Sequence, residues 1–172
     1  DSITIQTLEE DIPLTDFLIH YDFANRQSYP GTGLQVYDLN GNVLAALTNA
    51  SMFNSGNGGY IEIDGDTKTF GTQTDASPLF IARESGNVQS TVLWVRPKSD
   101  GIIFDEQSSP TFSSNGWHDS QIEMVGGALK FGLYSSGGIA SITSSVATPF
   151  NNWYYICMVY DGTTLTGYVN GT

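Results

Sequence analysis

The amino-acid sequence predicts an all-β protein, a two-sheet antiparallel β-sandwich of jelly-roll type, on three observations. Short runs rich in β-branched and aromatic residues recur along the chain, with turn signals roughly every ten residues. No segment sustains an apolar period of 3.6 residues, so no amphipathic helix is expected. Only 14% of residues are charged and 19 are glycine, a neutral-polar profile that suits many short strands joined by tight turns. With 172 residues, 40% of them hydrophobic, the chain is long enough for a sizeable core and too apolar for disorder.

The elements follow in order. Residues 1–16 hold a short alternating piece, Ile3-Thr4-Ile5, and an acidic cluster at Glu9, Glu10 and Asp11. They read as a lead-in segment or edge strand with a solvated acidic run. Phe17 to Phe23 (FLIHYDF) reads as a strand, followed by the turn-rich loop Ala24 to Gly33. Val36 to Leu39 meets an Asn-Gly turn at Asn40-Gly41-Asn42, Val43 to Leu47 is a short apolar run, and Asn49 to Gly59 reads as a polar loop. Tyr60 to Asp64 (YIEID) is a strand closed by Gly65. Ser90 to Arg96 (STVLWVR) is a strong strand stopped by Pro97, and Gly101 to Asp105 (GIIFD) is another. Gln121 to Val125 and Leu129 to Tyr134 form a hairpin across Gly126-Gly127, and Ile139 to Val146 is a weaker strand.

The organising stretch is the last one, NNWYYICMVYDGTTLTGYVNGT. Trp153 to Tyr160 and Leu165 to Asn170 are two β-rich runs separated by an Asp-Gly turn, the signature of a hairpin. Alternation puts Trp153, Tyr155, Cys157 and Val159 on one face and Tyr154, Ile156, Met158 and Tyr160 on the other. A run that is apolar on both faces predicts a central strand covered on both sides. Trp94 and Trp153 are accordingly expected in the core, and the lone Cys157 is expected as a small buried hydrophobe.

Charge narrows the partners. Six basic residues against 18 acidic ones give a net charge of −12, which cannot neutralise a phosphate backbone and disfavours nucleic acid. An anionic membrane surface would repel the same charge, and no apolar run of transmembrane length occurs. One cysteine permits no internal disulfide, and two histidines about a hundred residues apart, with no paired-ligand spacing, suggest no zinc site. No G-x-S-x-G elbow is present, and His20 reads as a satisfied sheet residue. Asn49-Ala50-Ser51 and Asn170-Gly171-Thr172 fit the N-glycosylation pattern, which a chain rich in Asn, Ser and Thr produces readily by chance. The start at Asp1 reads as an excised or mature piece of a longer chain.

The segments LIHYDFANRQSYPGTGLQVYDLNGN, ALTNA and NGGYIEIDGD, then TVLWVRPKSD and NNWYYICMVYDGTTLTGYVNG, together resemble laminin-G-like domains of the concanavalin A-like lectin/glucanase superfamily. The resemblance runs from about Leu18 to Gly171 in the right order. It implies a jelly-roll domain over residues 17–172, of a type common in phage and large-virus structural proteins and bacterial surface proteins. Such domains continue for several strands past the final hairpin, so the domain is expected to be C-terminally incomplete.

The resemblance also directs attention to candidate chemistry. Glycan hydrolases of this fold carry alternate carboxylates on one strand, and Glu62-Ile63-Asp64-Gly65-Asp66 approaches that pattern. Here the third position is Asp rather than Glu, with Gly65 breaking the strand before it, so the stretch reads as a structural strand end. Superfamily members often hold Ca²⁺ at the sandwich rim through Asp, Asn and backbone oxygens. Asp22, Asn25, Asp38, Asn40 and Asn42, or Asp64 and Asp66, could supply such a site, and solvated turn residues are the plainer reading. Sugar binding would use exposed aromatic rings flanked by polar side chains. Trp117, His118 and Asp119 form the best such cluster, with Tyr29 and Tyr37 next, although Trp117 could equally open the following strand and enter the core.

The sequence thus leads to a non-catalytic glycan-binding or adhesion module on a virion or cell surface, within a larger chain or assembly. One alternative is a purely structural virion module that docks on neighbouring subunits. Another is a glycan hydrolase using Glu62 and Asp64.

Overall fold

A computed structural model describes residues 19–41, 44–64, 67–72, 88–107, 118–135 and 138–172. The protein is all-β, built from antiparallel sheets, and divides into two compact units, residues 1–72 and 73–172.

In the first unit, β1 (Gln35–Tyr37), β2 (Leu44–Leu47) and β5 (Phe70–Thr72) form a sheet in the order β1-β2-β5. A two-stranded ladder pairs β3 (Phe53–Asn54) with β4 (Tyr60–Ile61). Tyr29, Val36, Ala45, Leu47 and Met52 are buried at its centre, with Tyr21, Phe23, Phe53, Ile61 and Phe70 around them. The aromatic members meet edge to face: Phe70 lies 5.2 Å from Tyr21 and 5.3 Å from Phe23 between ring centroids. Gly59 is required where the chain enters β4, since its φ is +124° and a Cβ there would sit 2.5 Å from the Phe23 carbonyl oxygen.

Three expectations change here. Within Phe17 to Phe23, residues 19–23 form no strand. Two amides that a ladder would use are taken by side chains, His20 N–H donating to Asp38 Oδ1 and Asp22 N–H to Ser28 Oγ. The strand expected from Tyr60 to Asp64 ends at Ile61, because Asp64 folds its carboxylate onto the amides of Thr67 and Lys68. Conversely, the polar loop Asn49 to Gly59 contains β3 and a short 3₁₀ helix, Ala50–Met52, whose Asn49 cap accepts the Ser51 amide at 2.9 Å.

The second unit is a two-sheet sandwich. One sheet runs β10-β9-β8-β7, from β7 (Gly101–Gln107), β8 (His118–Val125), β9 (Ala128–Ser135) and β10 (Gly138–Thr143). The other runs β12-β11-β6, from β6 (Gln89–Val95), β11 (Tyr154–Tyr160) and β12 (Leu165–Val169). The β8–β9 hairpin turns at Gly126-Gly127, both with positive φ, as expected. Asp100 clamps that turn by accepting both glycine amides, at 3.0 and 2.9 Å.

Between the sheets, Ile122, Met124, Leu129 and Phe131 of one meet Tyr154, Ile156, Met158 and Val169 of the other. Burying each such side chain contributes about 1.5–3 kcal/mol. The sheets approach closely at Gly167, where a Cβ would overlap the Phe131 ring. Only glycine lets that ring rest on the β12 backbone.

Candidate functional site

The three-stranded sheet of the second unit has an outer face that the sequence does not announce. Along β11, Tyr154, Ile156 and Met158 point inward and are buried, whereas Tyr155 points out and Cys157 and Val159 are half-buried. β11 is central in its sheet, as expected, but the expected cover on its second face is not found among the described residues. The neighbouring strands continue the same surface. β6 alternates so that Leu93 and Val95 pack on the core while Val92 and Trp94 face out. Trp94, expected in the core, is 67% exposed. The two residues sharing its parity nearest in sequence after Val92 are Ser90 and Arg96, and that polar company was the available signal for an outward face.

Register brings the aromatic residues together. Trp94 is directly opposite Tyr155, and Cys157 lies between Val92 and Tyr168. The Trp94 and Tyr155 rings are 5.3 Å apart between centroids and inclined at 54°, so they form an open corner rather than a stack. Tyr168 adds a third exposed ring on β12. Just before β11, the Arg96 guanidinium lies over the Trp153 ring at 5.4 Å in a cation–π contact, and Trp153 is half-buried instead of in the core.

Asn170 completes the corner. Its backbone amide donates to the Tyr155 carbonyl at 2.8 Å, and its Oδ1 accepts the Tyr155 amide at 3.0 Å. The residue has φ +52°, which Asn tolerates better than most side chains. With Oδ1 held by the strand, Nδ2 is the group left to donate outward. Trp94, Tyr155, Asn170 and Gly171 line a shallow, open depression of about 430 Å³. None of the four carries a charge. Chemically, the depression offers aromatic faces for apolar C–H surfaces, with a fixed amide donor at the rim. Cys157, one step along the strand, has its thiol pKa pushed up by burial, which keeps it protonated and unreactive near neutral pH.

The residues expected from sequence are placed elsewhere. Tyr29 is fully buried in the first unit's core and donates its hydroxyl to the Gly33 carbonyl, so it presents no face to a sugar. Tyr37 is exposed on β1, its hydroxyl donating to Gln35 Oε1 at 2.9 Å. Trp117 lies outside the described residues. His118 and Asp119 open β8, pairing with Gln107 and Glu106 through the backbone, which is all that is described of them.

The carboxylates and amides considered for calcium do local work. Asp22 Oδ1 and Asn25 Oδ1 accept the amides of Ala24 and Gln27, closing two turns. Asp38 is buried and accepts from the His20 amide. Burial, and then the Asp38 charge, push the Tyr21 phenol pKa upward. Asn40 lies in the turn that the Gly41 amide closes onto the Asp38 carbonyl. Asp64 accepts from two backbone amides and the Thr67 hydroxyl; Asn42 and Asp66 lie outside the described residues. Among the described residues, no three or more of His, Cys, Asp and Glu gather as a metal-binding group.

No curated protein and no solved structure matches the chain. A laminin-G-type family model, described as the concanavalin A-like lectin/glucanases superfamily, matches residues 55–172. That match covers more than half of the sequence and the whole two-sheet sandwich, strands, aromatic corner and final hairpin included. The chain belongs to the concanavalin A-like lectin/glucanase superfamily.

Proposed function

We propose that this chain is a non-catalytic glycan-binding or adhesion module of a virion or cell-surface protein, and that it takes its ligand at the Trp94–Tyr155 corner. The observation that carries the reading is a tryptophan two-thirds exposed beside a second ring and a fixed amide donor. A large aromatic side chain left in water on the outer face of a sheet has no role in the core. A pyranose ring laid on Trp94 would bury its C–H face there while its hydroxyls reach Asn170 Nδ2 and solvent. The uncharged lining and the net charge of −12 favour neutral over acidic glycans.

The turn at Asp64 weighs against hydrolysis. Glycosidic cleavage needs two carboxyl groups free to face one bond, and Asp64 already has its carboxylate committed to a turn. Docking on a neighbouring structural subunit is the second reading. It is favoured by Val92 and Tyr168, which extend the exposed apolar surface beyond the depression.

The test is binding to an array of neutral and sialylated oligosaccharides, for the full chain and Trp94→Ala, with calcium and with a chelator. Binding to neutral glycans that falls at least tenfold in Trp94→Ala is expected. Because the lining carries no carboxylate, binding should survive the chelator. Calcium, if held at Asp22, Asp38 or Asp64, would then act on the thermal stability of the first unit. No glycan binding by a folded protein would leave subunit docking as the function of this face.

A further inference from the structure

We propose that Asn170 is an N-glycan acceptor whose first sugar folds back onto Trp94 and Tyr155, so that modification closes the site. The proposal rests on the sugar-binding reading of that depression and on a surface location. Asn170-Gly171-Thr172 is an acceptor triplet, and chance would place such a triplet anywhere on the surface. Here its asparagine is exposed and is one of the four residues lining the aromatic depression.

The local geometry presents the reacting atom. The turn is closed by the Thr172 amide on the Val169 carbonyl at 3.2 Å, with Gly171 at φ +85°. Asn170 Oδ1 is tied to the Tyr155 amide at 3.0 Å, which fixes the amide plane and leaves Nδ2 to carry a substituent. Tyr168, two residues before Asn170, adds an exposed ring near the end of β12. In the transfer, a lipid-linked diphospho-oligosaccharide supplies the sugar. A bond forms between Asn170 Nδ2 and the anomeric carbon as the bond from that carbon to the diphosphate oxygen breaks. The lipid diphosphate leaves with the electron pair, and one amide proton passes to the transferase's base.

Tethering decides the competition. A sugar on a linker of one side chain meets the rings at an effective concentration of about millimolar or more. A free glycan supplied below that level loses to it without any new contact being made. The modified protein would therefore carry its own occupant, and the binding face would be open only in unmodified chains.

The full chain is made in bacteria and secreted from a eukaryotic host, alongside Asn170→Gln, Thr172→Ala and Thr172→Ser. Peptide mapping is expected to find a glycan on Asn170, lost in the first two variants and retained in Thr172→Ser. Acrylamide quenching of tryptophan fluorescence should be at least twofold weaker in the glycosylated protein. Removal with peptide N-glycosidase should restore it, and the difference should vanish in Trp94→Phe. Oligosaccharide binding should drop at least tenfold on glycosylation. An unmodified Asn170 in the secreted chain, or a glycan that leaves quenching and binding unchanged, overturns the proposal. Failure of the sugar-binding reading is seen separately, as absence of binding by the bacterial protein; shielding of Trp94 by a glycan would still support the fold-back contact.

Discussion

The two faces of the β12-β11-β6 sheet have nearly the same chemistry and opposite fates. The inner face offers Tyr154, Ile156, Met158 and Val169, all buried against the facing sheet. The outer face offers Trp94, Tyr155 and Tyr168, all exposed, with Val92 beside them. Hydrophobicity alone does not separate them; what does is whether a second sheet lies within reach. On the inside, Phe131 comes so close that β12 must carry glycine. On the outside, the rings are left to whatever binds there. The comparison shows that an apolar strand face is a capacity for burial, which either the fold or a ligand can fill.

Substitutions can break that symmetry in order of size. Phe131→Ala should cost about 3–5 kcal/mol, read as a fall in the urea midpoint, because it empties the centre of the inner interface. Gly167→Ala adds one methyl where the Phe131 ring already lies and should cost about 1–3 kcal/mol by the same measurement. Trp94→Ala removes a larger side chain than Phe131→Ala does, yet should alter stability by only about 0.5 kcal/mol or less while lowering the proposed glycan binding at least tenfold. If Trp94→Ala unfolded the protein, the outer face would belong to the core after all. The smallest effect is expected at Asp161, in the turn joining β11 to β12. The Thr164 amide and then the Thr163 amide hold its carboxyl below the usual carboxylate range. A folded pKa lower than the unfolded one gives stability that is present above about pH 4 and lost as the pH falls through the folded value. Asp161→Asn should therefore flatten the acid limb of the stability curve by slightly lowering its neutral plateau while leaving the most acid end unchanged, as followed by thermal melts between about pH 2 and 7.

Most of the sandwich was legible because its strands are long, apolar and punctuated. The hairpin at Gly126-Gly127 and the one ending in Leu165–Val169 fall where their turns demand. In the first unit β1, β2 and β4 overlap runs read from the sequence, whereas β3 and β5 were not legible, since two- and three-residue ladders leave no periodicity and a side chain can capture the amides that would extend them. Phe17 to Phe23 illustrates this: its composition is that of a strand, and Asp38 and Ser28 take the amides of His20 and Asp22. The outer face of β6 was read incorrectly for a different reason. Alternation in STVLWVR defines two faces without saying which has a partner, and tryptophan's bulk suggested the core. Tyr29 erred in the opposite direction, a loop residue that the surrounding phenyl rings draw inward.

The pairing of β6 with β11 also governs when the protein can form. Tyr154 meets Val95 and Tyr160 meets Gln89, so every rung of that ladder closes a loop of roughly sixty to seventy residues, an entropic cost that local hairpins largely avoid. The β8–β9 and β11–β12 hairpins can assemble early, on short loops, while β6 waits. During that wait the strand carrying Trp94 exposes unpaired amides along both edges, together with its aromatic side chain. The slow, non-local step should set the refolding rate, and the same interval is when the chain is most prone to intermolecular strand addition.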